Sequence, residues 1–171
     1  MQPLLINKTT VEKFLQVAIG YSTVEFERFI REAQEFDFKP LVCEDFYYLL
    51  LKNKEIDPYD KILIGQEYLY DDKTYYHQGL EAVLSYFTYA RFILKSAAVS
   101  TSHGIVQKTT PNSQPLSHSE KKDMYHSHRQ DANALFADVI KYMDRKEINY
   151  KDCADCGYSS QQDIVIRAPR W

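Results

Sequence analysis

A chain of 171 residues with a formal net charge of -3 is long enough for one domain with its own core, and it lacks the concentrated basic surface that a dedicated reader of DNA or RNA needs. No apolar run approaches the roughly 18 to 20 residues of a membrane span, and Met1 to Lys8 lack the basic-then-apolar pattern of a signal peptide. A soluble chain made in the cytoplasm is therefore expected, with its three cysteines reduced. The compositional outlier is tyrosine, with 14 residues, about twice average usage or more. Tyrosine joins a large apolar face to a polar tip and is enriched at interfaces, so contact with several partners is the first functional hint, set against the alternative of a tyrosine-rich core.

Ser22-Thr23-Val24-Glu25 has the form of a capping box and predicts a helix whose apolar stripe is Phe26, Phe29, Ile30, Ala33 and Phe36. Glu27, Arg31, Glu32 and Glu35 fall outside that stripe, so these carboxylates read as a solvated face; no nucleophile, histidine or glycine-rich turn lies nearby to make them catalytic. Pro40 ends the helix, and Leu41 to Asn53 reads as a second, shorter one completing a helical hairpin. Its Phe46-Tyr47-Tyr48-Leu49-Leu50-Leu51 run is apolar nearly all round, which predicts protein on both sides. A short helix follows Asp57-Pro58 and stops at Gly65. Residues 67 to 78 place two tyrosine-rich arms around Asp71-Asp72-Lys73, a β-hairpin that needs a neighbour to lean on. Gly79 to Ala98 is helix length and apolar on most faces, so it is the expected central helix.

From Val99 to Leu116 the composition turns to Ser, Thr, Asn, Gly and Pro, with Gly104-Ile105-Val106-Gln107 the only strand-like piece. A connection of this length is expected to be extended and to contact another subunit. Ser117-His118-Ser119-Glu120 is a second capping box. It opens a helix to about Glu147 whose stripe is Met124, His128, Ala132, Leu135, Phe136, Val139, Ile140 and Met143. Cys43 sits among apolar neighbours and reads as a small core residue. Cys153 and Cys156 form the one C-x-x-C and are the candidate metal ligands, but two thiolates do not close a zinc tetrahedron. His126 and His128, at i and i+2, point to different helix faces. No metal or other cofactor is expected. The chain has no P-loop, dinucleotide fingerprint, G-x-S-x-G or H-E-x-x-H, which disfavours an enzyme.

The order "FIREAQEFDFKPL", a Tyr/Leu helix, a hairpin running into "KTYYHQGLEAVLSYFTYARFI", then "GIVQKTTPNSQPLS" and a long helix resembles the head-to-tail connector proteins of Bacteroidetes phages and prophages, including crAss-like phages. The resemblance covers roughly residues 22 to 147 and leaves the C-x-x-C tail unmatched. It implies a structural virion protein at the head-to-tail interface. Such an adaptor forms a ring, commonly of about twelve copies, that docks on the portal protein, meets the next tail or ring protein, and continues a channel through which DNA passes; each subunit offers two different faces to its neighbours. The competing reading is a small helical cytoplasmic enzyme or regulator, with zinc at the C-x-x-C.

The expected fold is mainly α, a helical bundle around a central apolar helix with a small β-hairpin and an extended C-terminal tail. The helical connector domain spans 1–148 and the docking tail 149–171. Interface residues are expected at Tyr68, Tyr70, Tyr75 and Tyr76 of the hairpin, at Ile105 and Val106 of the loop, and at Ile164, Ile166, Arg167, Arg170 and Trp171 of the tail. There, Ile164 to Ile166 would add as a strand to a partner's sheet edge and Trp171 would anchor in a pocket.

Overall fold

Gly79–Lys95 (α5) carries Leu80, Ala82, Val83, Leu84, Phe87, Ala90 and Ile93 as buried residues, too many for one stripe, so the helix is enclosed by others. The computed structural model describes residues 3–17, 20–96, 98–101, 104–107 and 116–151, with the backbone alone for 98–107. In chain order the remaining elements are α1 (Lys8–Phe14), α2 (Thr23–Ala33), α3 (Glu44–Asn53), α4 (Tyr59–Ile64), strands β1 (Gln66–Tyr70) and β2 (Lys73–His77), strands β3 (Ala98–Thr101) and β4 (Gly104–Gln107), and α6 (His118–Arg145). Helices α1, α2, α4 and α6 all pack on α5, which makes it the central helix, and the fold is mainly helical as the sequence predicts.

Both predicted N-caps are present. Ser117 accepts from the Glu120 N–H at 3.2 Å while the Glu120 carboxylate accepts from the Ser117 N–H at 2.8 Å, a complete capping box. At Ser22 the hydroxyl accepts from the Glu25 N–H at 3.2 Å, but the Glu25 carboxylate accepts from the Ser22 hydroxyl at 3.1 Å instead of from the backbone. The short helix α1 was not expected. Its signal is Asn7, whose side chain accepts from the Thr10 N–H at 2.9 Å.

The predicted stripe of α2 is correct through Ala33 and fails at Phe36. Phe26, Phe29, Ile30 and Ala33 are fully buried, but after Ala33 the chain passes into a π-helical turn, Gln34–Phe38, before a 3₁₀ turn at Lys39–Leu41. The wider turn inserts register, so Phe36 swings out to 67% exposure and Asp37 and Phe38 face inward. Gln34, 1% exposed, uses the bend to tie down the N-terminal segment. Its carbonyl accepts from the Leu5 N–H at 2.9 Å and its amide donates to the Pro3 carbonyl at 3.2 Å and to the Tyr47 hydroxyl at 2.9 Å. Likewise α3 is not covered on both sides: Phe46, Tyr47, Leu50 and Leu51 are buried, while Tyr48 and Leu49 remain exposed.

The segment after α5 also departs from expectation. In place of a lone strand-like piece, β3 and β4 pair antiparallel, Val99 opposite Val106 and Ser100 opposite Ile105, as a second two-stranded sheet. The body runs on past the expected boundary at 148, because Tyr150 is 3% exposed and its carbonyl accepts from the Cys43 N–H at 2.8 Å.

Candidate functional site

The first hairpin is built on two glycines. Gly65 (φ +90) and Gly79 (φ +76) bracket it and touch each other; a Cβ on Gly65 would lie 2.5 Å from the His77 carbonyl oxygen, and one on Gly79 would lie 2.4 Å from the Gly65 nitrogen. Both the left-handed backbone and the close approach require glycine. At the tip, Asp71 and Asp72 take φ of 52° and 57°, the two-residue turn whose twist suits a hairpin even though neither residue is glycine.

Pairing runs Gln66 to His77, Tyr68 to Tyr75 and Tyr70 to Lys73, with Glu67 opposite Tyr76 and Leu69 opposite Thr74 between them. A two-residue turn makes Tyr70 and Lys73 a hydrogen-bonded pair, so alternation leaves the N–H and C=O of Glu67 and Leu69 pointing off one edge and those of Thr74 and Tyr76 off the other. The sheet has two strands only, and no backbone partner for these groups occurs among the described residues. The outer face carries Leu69, 63% exposed, and Tyr76, 62% exposed, while Tyr70, half-exposed beside the turn, shares the opposite face with Tyr68.

The inner face is spent on the chain itself. Tyr68 is 7% exposed, stacks with Tyr75 at 5.8 Å between centroids and meets Tyr142 of α6 edge-on at 4.9 Å. Arg145, in the last turn of α6, donates to the Tyr68 hydroxyl at 2.8 Å and lies 3.8 Å from the Tyr75 ring centroid and 4.9 Å from that of Tyr70. Of the tyrosines predicted for an interface, Tyr68 is therefore an internal packing residue, Tyr75 is half-buried, and Tyr70 and Tyr76 remain available. Arg145 and Tyr142 went unrecognised in the sequence because nothing local ties α6 to a hairpin some 70 residues earlier. His77 completes this inner face, 1% exposed and stacked on Tyr142 at 4.3 Å. Neither of its ring nitrogens has a partner among the described residues, and burial pushes its pKa down to about 4.

The carboxylates of α2 and the π turn are not a solvated face throughout. The Asp37 carboxylate is 2% exposed and bridges Arg91 Nε of α5 at 2.5 Å and Arg129 of α6. Glu32 pairs with Lys95 at 2.5 Å and Arg91 at 3.4 Å, and Glu35 accepts from the Tyr47 hydroxyl at 2.6 Å. Burial and the Glu35 carboxylate together push the Tyr47 hydroxyl's pKa up. These groups hold α5 and α6 against the π turn, and each charge already has an opposite charge or a hydrogen-bond donor.

No cluster of three His, Cys, Asp or Glu placed to hold a metal occurs among the described residues, and no helix there is long and apolar enough to cross a membrane. Cys43 is disulfide-bonded, which corrects the expectation of a reduced core thiol; its partner lies outside the described residues. Cys153, Cys156, Ile164, Ile166, Arg167, Arg170 and Trp171 lie outside them too, as do the side chains of Ile105 and Val106.

The groove lined by Asp57, Lys61, Gln66 to Leu69, Tyr142, Lys146 and Ile148, about 510 Å³, runs beside the β1 edge and is largely polar. It adjoins the exposed face of the hairpin. No curated protein and no solved structure matches the chain. A family model, described as a family of unknown function, matches residues 38–162, from the π turn through α6 and into the tail. Matched over well more than half its length, the chain belongs to that family, DUF6712.

Proposed function

We propose that the chain is a structural subunit of a phage head-to-tail connector, a ring adaptor that docks on the portal protein and carries the DNA channel toward the tail. The observation that supports this most directly is the hairpin with open edges and exposed Leu69, Tyr70 and Tyr76. An isolated two-stranded sheet that keeps large apolar side chains in water is suited to adding a strand or a helix from a neighbour. A second exposed set is Phe36 of the π turn with Tyr48 and Leu49 of α3. A closed ring needs two unlike faces on each subunit, and these two sets are candidates for them. The order of segments from residues 22 to 147 supports the same reading through its resemblance to connector proteins.

The deciding experiment is native mass spectrometry of the purified chain alone and mixed with a portal protein from the same genome. A ring-sized multiple of the 20.1 kDa subunit, or a complex with the portal ring, is the expected result. A monomer that leaves the portal's mass unchanged over a range of concentrations and salt overturns the proposal.

A further inference from the structure

Two strands do not hold themselves together in water, so the place of the first hairpin depends on what its inner face grips. That grip centres on one ring of α6. Tyr142 is met edge-on by Tyr68 of β1 at 4.9 Å, and its hydroxyl accepts from the Gln66 amide at 2.7 Å. His77, the last residue of β2, stacks on the same ring at 4.3 Å with the planes 25° apart. The imidazole is fully buried, and neither of its nitrogens has a hydrogen-bond partner among the described residues. A neutral ring leaves one donor and one acceptor unspent there. An imidazolium would carry two donors and a full charge into the same place, with no acceptor to take them.

The charges around the ring do not supply that acceptor. From α6, Asp138 attracts a cation on His77, but its carboxylate is half-exposed and already pairs with Lys141 at 2.9 Å. From β1, the Tyr68 hydroxyl accepts from Arg145, whose own positive charge lies 3.8 Å from the Tyr75 ring centroid on the same inner face. On β2 itself, Lys73 is exposed beside the turn. From the α4 side, Lys61, Asp57 and Asp60 act on Tyr142, whose phenol is pushed up by burial and stays neutral. Glu81, the first charged residue of α5, turns to Lys13 at 3.5 Å.

We infer that His77 is a proton-sensitive latch: the neutral ring seats the hairpin on Tyr142, and uptake of a proton frees the hairpin from α6 while α5 and α6 stay packed. The helices keep contacts that the hairpin does not carry, since Ala132, Phe136, Val139 and Met143 of α6 are buried and Arg91 and Arg129 share Asp37. Gly65 and Gly79 join the hairpin to α4 and α5, so it can leave as one unit. Once free, it holds His77 in water with an ordinary pKa of 6.5, whereas in the seated form burial outweighs Asp138 and pushes the value down to about 4. The seated form is therefore fully favoured above about pH 6.5. Its advantage shrinks as the pH falls, about tenfold at pH 5.5 and about 80-fold at pH 4.5. The latch does not depend on the connector reading.

Hydrogen exchange read by mass spectrometry on the full chain is the test, at about pH 7, 5.5 and 4.5, with labelling times scaled to the intrinsic exchange rate at each pH. Peptides covering 66–77 should lose about tenfold in protection at pH 5.5 and more at pH 4.5, while peptides from α2 and α5 keep theirs. His77→Leu should hold the hairpin's protection constant over the same range. Should that variant fail to fold, NMR of the parent's own imidazole signals decides: the His77 ring should titrate below about pH 6, together with the loss of hairpin protection. Hairpin protection unchanged at the lowest pH overturns the inference. So does a loss shared by all helices at once, an unaltered pH dependence in His77→Leu, or a His77 ring that titrates near its ordinary value with the hairpin still protected.

Discussion

Replacing Asp37 with alanine removes the carboxylate on which Arg91 of α5 and Arg129 of α6 converge. The side chain of Asp37 is 2% exposed, against 14% for Arg91 and 31% for Arg129, so the charge most fully withdrawn from water is the one deleted. Deleting one member of a buried pair costs about 3–5 kcal/mol, because the charge left behind is uncompensated. Two features pull the figure to the low end. Arg91 keeps Glu32 at 3.4 Å, and Arg129 keeps some solvent and lies over the Phe87 and Tyr125 rings, each centroid 5.4 Å away. A loss of about 3 kcal/mol is expected, equivalent in a chain of this size to a fall in melting temperature of roughly 6–12 °C. Urea denaturation followed by circular dichroism measures it directly. Arg129→Met should cost less than Arg91→Met. Replacing all three residues by Asp37→Leu, Arg91→Met and Arg129→Met should recover much of the loss, since such networks are more costly to break than valuable to own. A loss under about 1 kcal/mol for Asp37→Ala, the value of an exposed pair, would refute the reasoning that this carboxylate clamps α5 and α6 to the π turn.

His77 predicts acid sensitivity. Its folded pKa near 4 lies below the unfolded 6.5, so the unfolded chain takes up the proton first and stability falls as pH drops from about 6.5 toward 4, by about 3 kcal/mol in full. His77→Leu should flatten that part of the pH–stability curve, and an unchanged slope would count against the assignment. Gly65→Ala and Gly79→Ala each force a Cβ into backbone atoms at positive φ and should cost more than about 2 kcal/mol; a variant with the parent's urea midpoint would contradict the bracket they form. Leu69→Ser with Tyr76→Ser, on the exposed face, should leave the melting temperature within about 2 °C and abolish ring or portal association in native mass spectra. Intact assembly would remove the hairpin from the interface.

The helices were legible where one face repeats and a cap marks the start. Ser22 and Ser117 announce α2 and α6, and the burial of Phe26, Phe29, Ile30 and Ala33 follows from spacing alone. What spacing cannot carry is a change of helical pitch. The π turn at Gln34–Phe38 exchanges Phe36 for Asp37 on the inner face, and its justification lies in Arg91 and Arg129, 54 and 92 residues away. The same holds for Tyr68, whose pattern on an alternating strand fits a core or an interface equally well. Only the arrival of Tyr142 and Arg145 decides between them. The β3–β4 hairpin was half legible. Gly104–Gln107 reads as a strand, but its partner Ala98–Thr101 is split between the end of the expected helix at Ala98 and the start of the polar connection at Val99, so nothing local announces it.

The tyrosines show how far composition can be pressed as a clue to partners. Tyr47, Tyr68, Tyr142 and Tyr150 are buried, and each of their hydroxyls meets a polar group of the same chain: Glu35, Arg145, Gln66 and Asp144 respectively. A residue with a large ring and a satisfied tip can fill the junction between two helices or between a helix and a hairpin at little polar cost, which is what these four do. Part of the surplus is thus an internal device of a small helical core, and among the described residues the argument from tyrosine content to partners narrows to the exposed Tyr48, Tyr70 and Tyr76. Tyr48 stands next to exposed Leu49 on α3, where only side chains are on offer, whereas Tyr70 and Tyr76 belong to a hairpin that has no further strand beside it among the described residues. At the hairpin a neighbouring subunit gains main-chain hydrogen bonds and apolar burial together, so any assembly of this chain should be built first from those edges and not from its tyrosines in general.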